Sequence, residues 1–176
     1  MKKQFLFFCL FICCYPVFAQ KVKSQLKFEQ DQVLEVSLNV KTTITQQAMG
    51  QAIDFNVDAA GDHYFTVTNA TEDNNTLKHG VKRIQFSFDG MGQKNKFDSN
   101  NEKDLKGQFG KPIKELLEKK YDMVIDQAGK TLMVLPEKFE MTGTDSRMML
   151  ISGMMKDVFN VAMPPKKGSN SFFKVL

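Results

Sequence analysis

The sequence predicts a β-rich α+β domain: an antiparallel, twisted meander sheet with one short helix and one long C-terminal helix packed on it. Three observations predict this class. Strict period-two alternation runs from Val33 to Gln46. More alternating segments follow at short intervals, separated by turn residues. Near the C-terminus the apolar residues change to helical spacing.

In the first segment Leu34, Val36, Leu38, Val40, Thr42 and Ile44 face one way. Glu35, Ser37, Asn39, Lys41, Thr43 and Thr45 face the other. Such a run is a long strand with one buried and one wet face. Gly50 breaks it. Ile53, Phe55 and Val57 predict a second strand, and Ala59-Ala60-Gly61-Asp62 a turn. Phe65 and Val67 predict a third strand, which enters the polar loop Glu72-Asp73-Asn74-Asn75. Ile84, Phe86 and Phe88 alternate with Arg83, Gln85 and Ser87 as a fourth. The glycine-punctuated stretch Asp89-Gly90-Met91-Gly92 leads to Lys96-Phe97-Asp98-Ser99.

Residues 100–110 read as a polar loop. Lys111 to Lys119 predicts a short helix, because Pro112 suits a first turn and Ile113, Leu116 and Leu117 share a face. A hairpin follows: Tyr121, Met123 and Ile125 alternate, Ala128-Gly129 turns, Leu132 and Val134 return, and Pro136 ends the strand. Thr144 or Asp145 can cap the long helix, since a side-chain oxygen there satisfies an orphan backbone N–H. Its apolar face is Met148, Ile151, Met155, Val158 and Ala162, expected against the sheet, and Pro164-Pro165 stops it. Ser171 to Leu176 reads as the opening of another strand, from a domain cut short or a last strand tucked into the sheet.

Residues 1–19 have the form of a secretory signal peptide. Lys2 and Lys3 give a positive start, Phe5 to Tyr15 an apolar run, and Val17-Phe18-Ala19 a cleavage site that leaves Gln20 as the new terminus. The run is too short for a membrane span, and no second run approaches that length. Cys9, Cys13 and Cys14 all lie inside this peptide, so the exported domain, residues 20–176, has no disulfide framework. A lipid anchor fits poorly, because a lipobox needs a small residue before its cysteine and Ile12 and Cys13 stand there. The expected location is periplasmic, outer-envelope or extracellular. Without the peptide the chain carries 22 basic and 20 acidic groups, which gives no electrostatic footprint for nucleic acid.

No chemical motif survives inspection of its spacing. Asp54-x-Asn56-x-Asp58 opens like a calcium loop, but Ala59 and Phe65 stand where an EF-hand needs glycine and glutamate. The acids are therefore read as the solvent face of a strand. Met141, Met148, Met149, Met154, Met155 and Met163 cluster without a histidine beside them, which favours packing over a copper site. His63 and His79 are the only histidines, and Asp98-Ser99 sits on no nucleophile elbow. Gly90-Met91-Gly92 opens no dinucleotide fingerprint. Asn69-Ala70-Thr71 and Asn74-Asn75-Thr76 match the glycosylation pattern but are read as plain loop residues. The reading is non-catalytic, with no cofactor and no metal.

The order of these signals resembles a family of secreted or lipoprotein bacterial proteins of unknown function. The features that carry the resemblance are Phe97-Asp98-Ser99 after a Phe- and Ile-rich strand, the hairpin Tyr121 to Lys130 with its Asp126-x-x-Gly129-Lys130, and a helix leading to Pro164-Pro165. It covers most of residues 24–176. It implies a second β-rich half beyond this one, and it carries no catalytic residues. The leading functional expectation is an apolar ligand or partner segment held in a sheet–helix cleft lined by Phe55, Phe65, Phe86, Phe88, Met123, Met149 and Met155. The alternative is an envelope interaction protein with no pocket, pairing through a strand edge near Phe172.

Overall fold

The computed structural model describes residues 24–48, 50–90, 92–137, 149 and 152–173. The predicted signal-peptide segment 1–19, Thr144, Asp145, Met148 and Ile151 lie outside the described residues.

A six-stranded antiparallel open sheet forms the body. Its strands are β1 (Val33–Ala48), β2 (Gln51–Ala70), β3 (Asn74–Gly90), β4 (Gln93–Asp98), β5 (Tyr121–Asp126) and β6 (Thr131–Leu135). Short helices accompany it, among the described residues α1 (Glu102–Leu105), α2 (Gly110–Glu118) and α3 (Lys156–Ala162). The sheet order is β1-β2-β3-β5-β6, and β4 also pairs with β3. β3 is long enough to hold both partners on one side: β5 pairs with Asn74 to His79, and β4 with Gln85 to Gly90.

The period-two pattern becomes one buried and one wet face. β1 pairs with β2 in unbroken register from Val33↔Thr66 to Ala48↔Gln51, closed by Gly50 at φ 79°. Where the sequence predicts a turn at Ala59 to Asp62, the structure has the middle of β2. Asn39 pairs with Ala60 and Leu38 with Gly61, while Ile84 flanks Gly61 on the other side. The small residues serve packing. A Cβ on Gly61 would lie 2.6 Å from Val158 Cγ1 and 2.9 Å from His63 Nε2, so only glycine lets α3 sit this close.

Other expectations are corrected in the same way. The polar stretch 100–110 contains α1, whose start is capped by Asn101 Oδ1 accepting from Lys103 N–H at 3.0 Å. In the second hairpin Leu132 does not share a face with Val134. The register shifts between Val124 and Ile125, so Leu132 is bulged outward while Thr131 and Val134 point in. Asn74 and Asn75 are not loop residues. Both belong to β3, and Asn75 is buried. Among the described residues the one long C-terminal helix is not shown. In its described part, residues 149 and 152–154 are helical, the helix is interrupted at Met155, which has non-helical φ −102° and ψ 24°, and α3 follows it. Met155 and Val158 are buried as expected. Nor do Phe172 and Phe173 continue as a strand: they lie in a turn after the isolated bridge Lys130↔Asn170.

The buried face carries two apolar clusters. Under α2 and α3 lie Val57, Ala59, Ile84, Phe86 and Phe97, packed with Ile113, Leu116, Met155, Val158, Phe159 and Ala162. Phe86 stacks on Phe97 with centroids 5.0 Å apart. The second cluster is Phe65, Val67, Leu77, Tyr121, Met123, Ile125 and Val134, roofed by Leu26, Phe28, Val161 and Phe173. Phe173 stands edge-on to Phe65 at 5.0 Å and to Phe28 at 5.8 Å.

Candidate functional site

The seven residues predicted to line an apolar cleft are not gathered into one. Phe86 and Met155 belong to the helix-covered cluster, with Phe88 half-buried beside it and Phe55 stacked on Phe88 at 5.6 Å. Phe65 and Met123 belong to the other cluster, each 1% exposed. Met149 is 66% exposed. A ligand entering either cluster has to displace side chains already in contact.

Where the two clusters meet, the only histidines face each other. His63 Nδ1 lies 3.3 Å from His79 Nε2, and His79 stacks on Tyr121 with centroids 4.4 Å apart. The Tyr121 hydroxyl donates to the Val161 carbonyl at 3.0 Å. Burial pushes His63 down to about 4, partly opposed by the charge of Asp62. Burial, and then the neighbouring His63, push His79 down to about 3. Burial raises the Tyr121 hydroxyl. The pair is therefore neutral at neutral pH and sealed from solvent. The residue types of a hydrolytic triad are engaged elsewhere. Ser99 Oγ accepts from Ile84 N–H at 2.9 Å, and Asp98 takes Arg83 Nε at 3.0 Å. That two-pronged bond is the leading cause that raises Arg83 and lowers Asp98 from their ordinary values.

The wet face is polar and cross-bonded. Thr45 donates to Asp54 at 2.7 Å and Thr43 to Asn56 at 2.8 Å, and Lys41 Nζ is 4.0 Å from Asp58. The calcium-like residues are thus the outer face of β2, as their alternation predicts. Ser37 donates to Asp62 at 2.7 Å, and Lys82 Nζ is 3.1 Å from Glu35. Two depressions lie on this face. One of about 360 Å³ includes Ala60 and Ser87 with Lys41, Asp58, Lys96 and Asp104 around them. Another of about 290 Å³ is lined by Glu35, Asp62, Lys82 and Arg83. Each mixes both signs of charge, so neither presents a field selective for one.

The edges of the sheet differ from both faces. β6 and β1 end the main strand order, and β4, paired only with β3, leaves a third free side. The start of β6 is covered: Thr131 N–H donates to Ser169 O at 2.8 Å and Gly168 N–H to Thr131 O at 2.7 Å. Beyond that point β6 has no second strand partner among the described residues. It carries no charge, and Leu132, Met133 and Leu135 are 38%, 47% and 53% exposed. Soluble sheets usually blunt such an edge with lysine, proline or a cover. The sequence points to an open edge near Phe172, whereas in the structure the apolar open edge is β6. The signal was the uncharged run Thr131 to Leu135 before Pro136.

Among the described residues no group of three or more His, Cys, Asp or Glu could hold a metal ion. No described helix is long and apolar enough to cross a membrane. No family model, no curated protein and no solved structure matches the chain.

Proposed function

We propose that this is an exported protein that works by association and not by catalysis, taking an extended apolar segment of an envelope protein onto an open strand edge. The observation that carries the reading is β6: an uncharged edge strand with Leu132, Met133 and Leu135 turned to solvent. An added strand supplies main-chain hydrogen bonds for affinity, and alternate side chains supply selectivity. The bulge at Leu132 puts two consecutive apolar side chains, Leu132 and Met133, on the exposed side of that edge. The leader-like residues 1–19 support export, and N-terminal sequencing of the accumulated protein is expected to begin at Gln20.

The apolar-ligand reading has less support, because Phe65, Phe86, Met123 and Met155 already fill the space between sheet and cover. One experiment separates the two. A photo-crosslinking residue replaces Met133 in the full chain during export, with Thr68 on the wet face as control. An adduct is expected at Met133 alone, and Leu132→Lys is expected to abolish it. Absence of that adduct, together with a stoichiometric acyl lipid in an organic extract of the purified protein, would return the cleft reading to first place.

A further inference from the structure

β1, at the opposite end of the strand order, is a longer and more regular edge than β6. β1 spans Val33–Ala48, contains no proline or glycine, and keeps unbroken register with β2. Its free side has no strand partner among the described residues. Glu35 and Lys41 are its only charges, and both are exposed, at 66% and 85%.

We infer that β1 pairs antiparallel with β1 of a second copy, about a two-fold axis through Leu38. This rests on the association reading above and names the partner of the second edge. Residues facing each other across an antiparallel pair lie on the same face of the sheet. A two-fold axis between identical strands therefore allows only pairings of odd with odd and even with even positions. Among these, one register is complementary. Centred on Leu38, it sets Glu35 opposite Lys41 of the second copy, and Lys41 opposite Glu35, on the wet face. Centring on Glu35 or on Lys41 sets like charges against each other. Moving the centre to Ser37 or Asn39 leaves Glu35 opposite Asn39 or Thr43.

The same register satisfies the buried face. Leu38 meets its own copy, Val36 meets Val40, and Leu34 meets Thr42. All five residues are half-buried in the single chain, so each has surface left to lose. The charges also extend pairs that exist already. Lys82 holds Glu35, and Asp58 lies by Lys41. Across the axis these join as a row of alternating sign: Lys82, Glu35, then Lys41 and Asp58 of the second copy. Such a row selects register and partner more than it adds raw affinity. The two six-stranded sheets would run on as one.

The test uses sedimentation of the purified protein at low ionic strength, with circular dichroism to confirm folding. The unaltered chain should dimerise. Glu35→Lys and Lys41→Glu each set like charges opposite one another twice, and each should weaken the dimer by about tenfold or more. Mixing the two variants in equal amounts restores opposite charges at both contacts, so a heterodimer should form with affinity near that of the unaltered chain. A monomeric unaltered chain, or a mixture that associates no better than either variant alone, overturns the pairing. Neither substitution touches β6, so the Met133 adduct is read independently, and failure of the self-pairing is distinguishable from failure of the association reading.

Discussion

The two halves of the buried face belong to the same strands, yet they are covered by different means. Over Val57, Ile84 and Phe86 the cover is helical, with Ile113, Leu116, Val158 and Ala162 projecting from α2 and α3. Over Phe65, Leu77 and Met123 the cover includes irregular chain, with Leu26 and Phe28 from the segment before β1 and Phe173 from a turn. Both halves reach the same dryness, since Met155 and Met123 are 0% and 1% exposed. Regular secondary structure is thus not what makes this core; matched apolar area is. The seam between the halves is the exception, because there a polar pair, His63 and His79, takes the place of apolar contact.

The largest effects should come from emptying either half. Met155→Ala and Met123→Ala should each cost about 2–5 kcal/mol in chemical denaturation, since both leave a cavity. Amide exchange should tell them apart: the first should loosen α3 and β1, the second the β5–β6 hairpin. Equal loosening everywhere would mean that the halves are one cooperative unit.

The seam should respond to acid. Both histidines titrate lower in the folded protein than their ordinary value, so the unfolded chain takes up protons first. Stability is then fully present above about pH 6.5 and falls as pH drops toward 4. The loss is about 2 kcal/mol per histidine by pH 5. His79→Phe keeps an aromatic ring beside Tyr121 and should flatten the slope between pH 7 and 5. An unchanged slope would place the acid sensitivity elsewhere.

A smaller effect separates a packed strand from a turn. Gly61→Ala should cost about 1–3 kcal/mol, because the new methyl meets Val158 and His63. No cost would mean that α3 can retreat. The smallest stability effect belongs to the edges. Leu132→Lys should change unfolding free energy by less than about 0.5 kcal/mol while abolishing the Met133 adduct. A large loss of stability there would make Leu132 part of the core.

What local pattern can carry was legible. The alternation of β1, the face assignment of Phe55, Phe65, Phe86 and Met123, the short helix after Phe109 and the hairpin turn at Gly129 with φ 81° all follow from residues that are neighbours in sequence. The wet placement of Asp54, Asn56 and Asp58 follows from the same alternation. The sites were less legible. Nothing local joins His63 to His79, because their contact is made by strand pairing and a register shift between Asp62 and His63.

By itself, then, the sequence determined which residues turn inward and where most hairpins close, because side-chain period and turn chemistry act within a few residues. Tertiary structure decided three other things. It made Gly61 a point of close approach in mid-strand, because β1 and β3 supply hydrogen bonds on both sides and α3 needs the room. It started α3 only after Met155. It also left β1 and β6 at the outside of the sheet. A strand's own residues record its two faces but not its two edges, since backbone N–H and C=O groups are the same for every strand and only the order of packing decides which of them stay open.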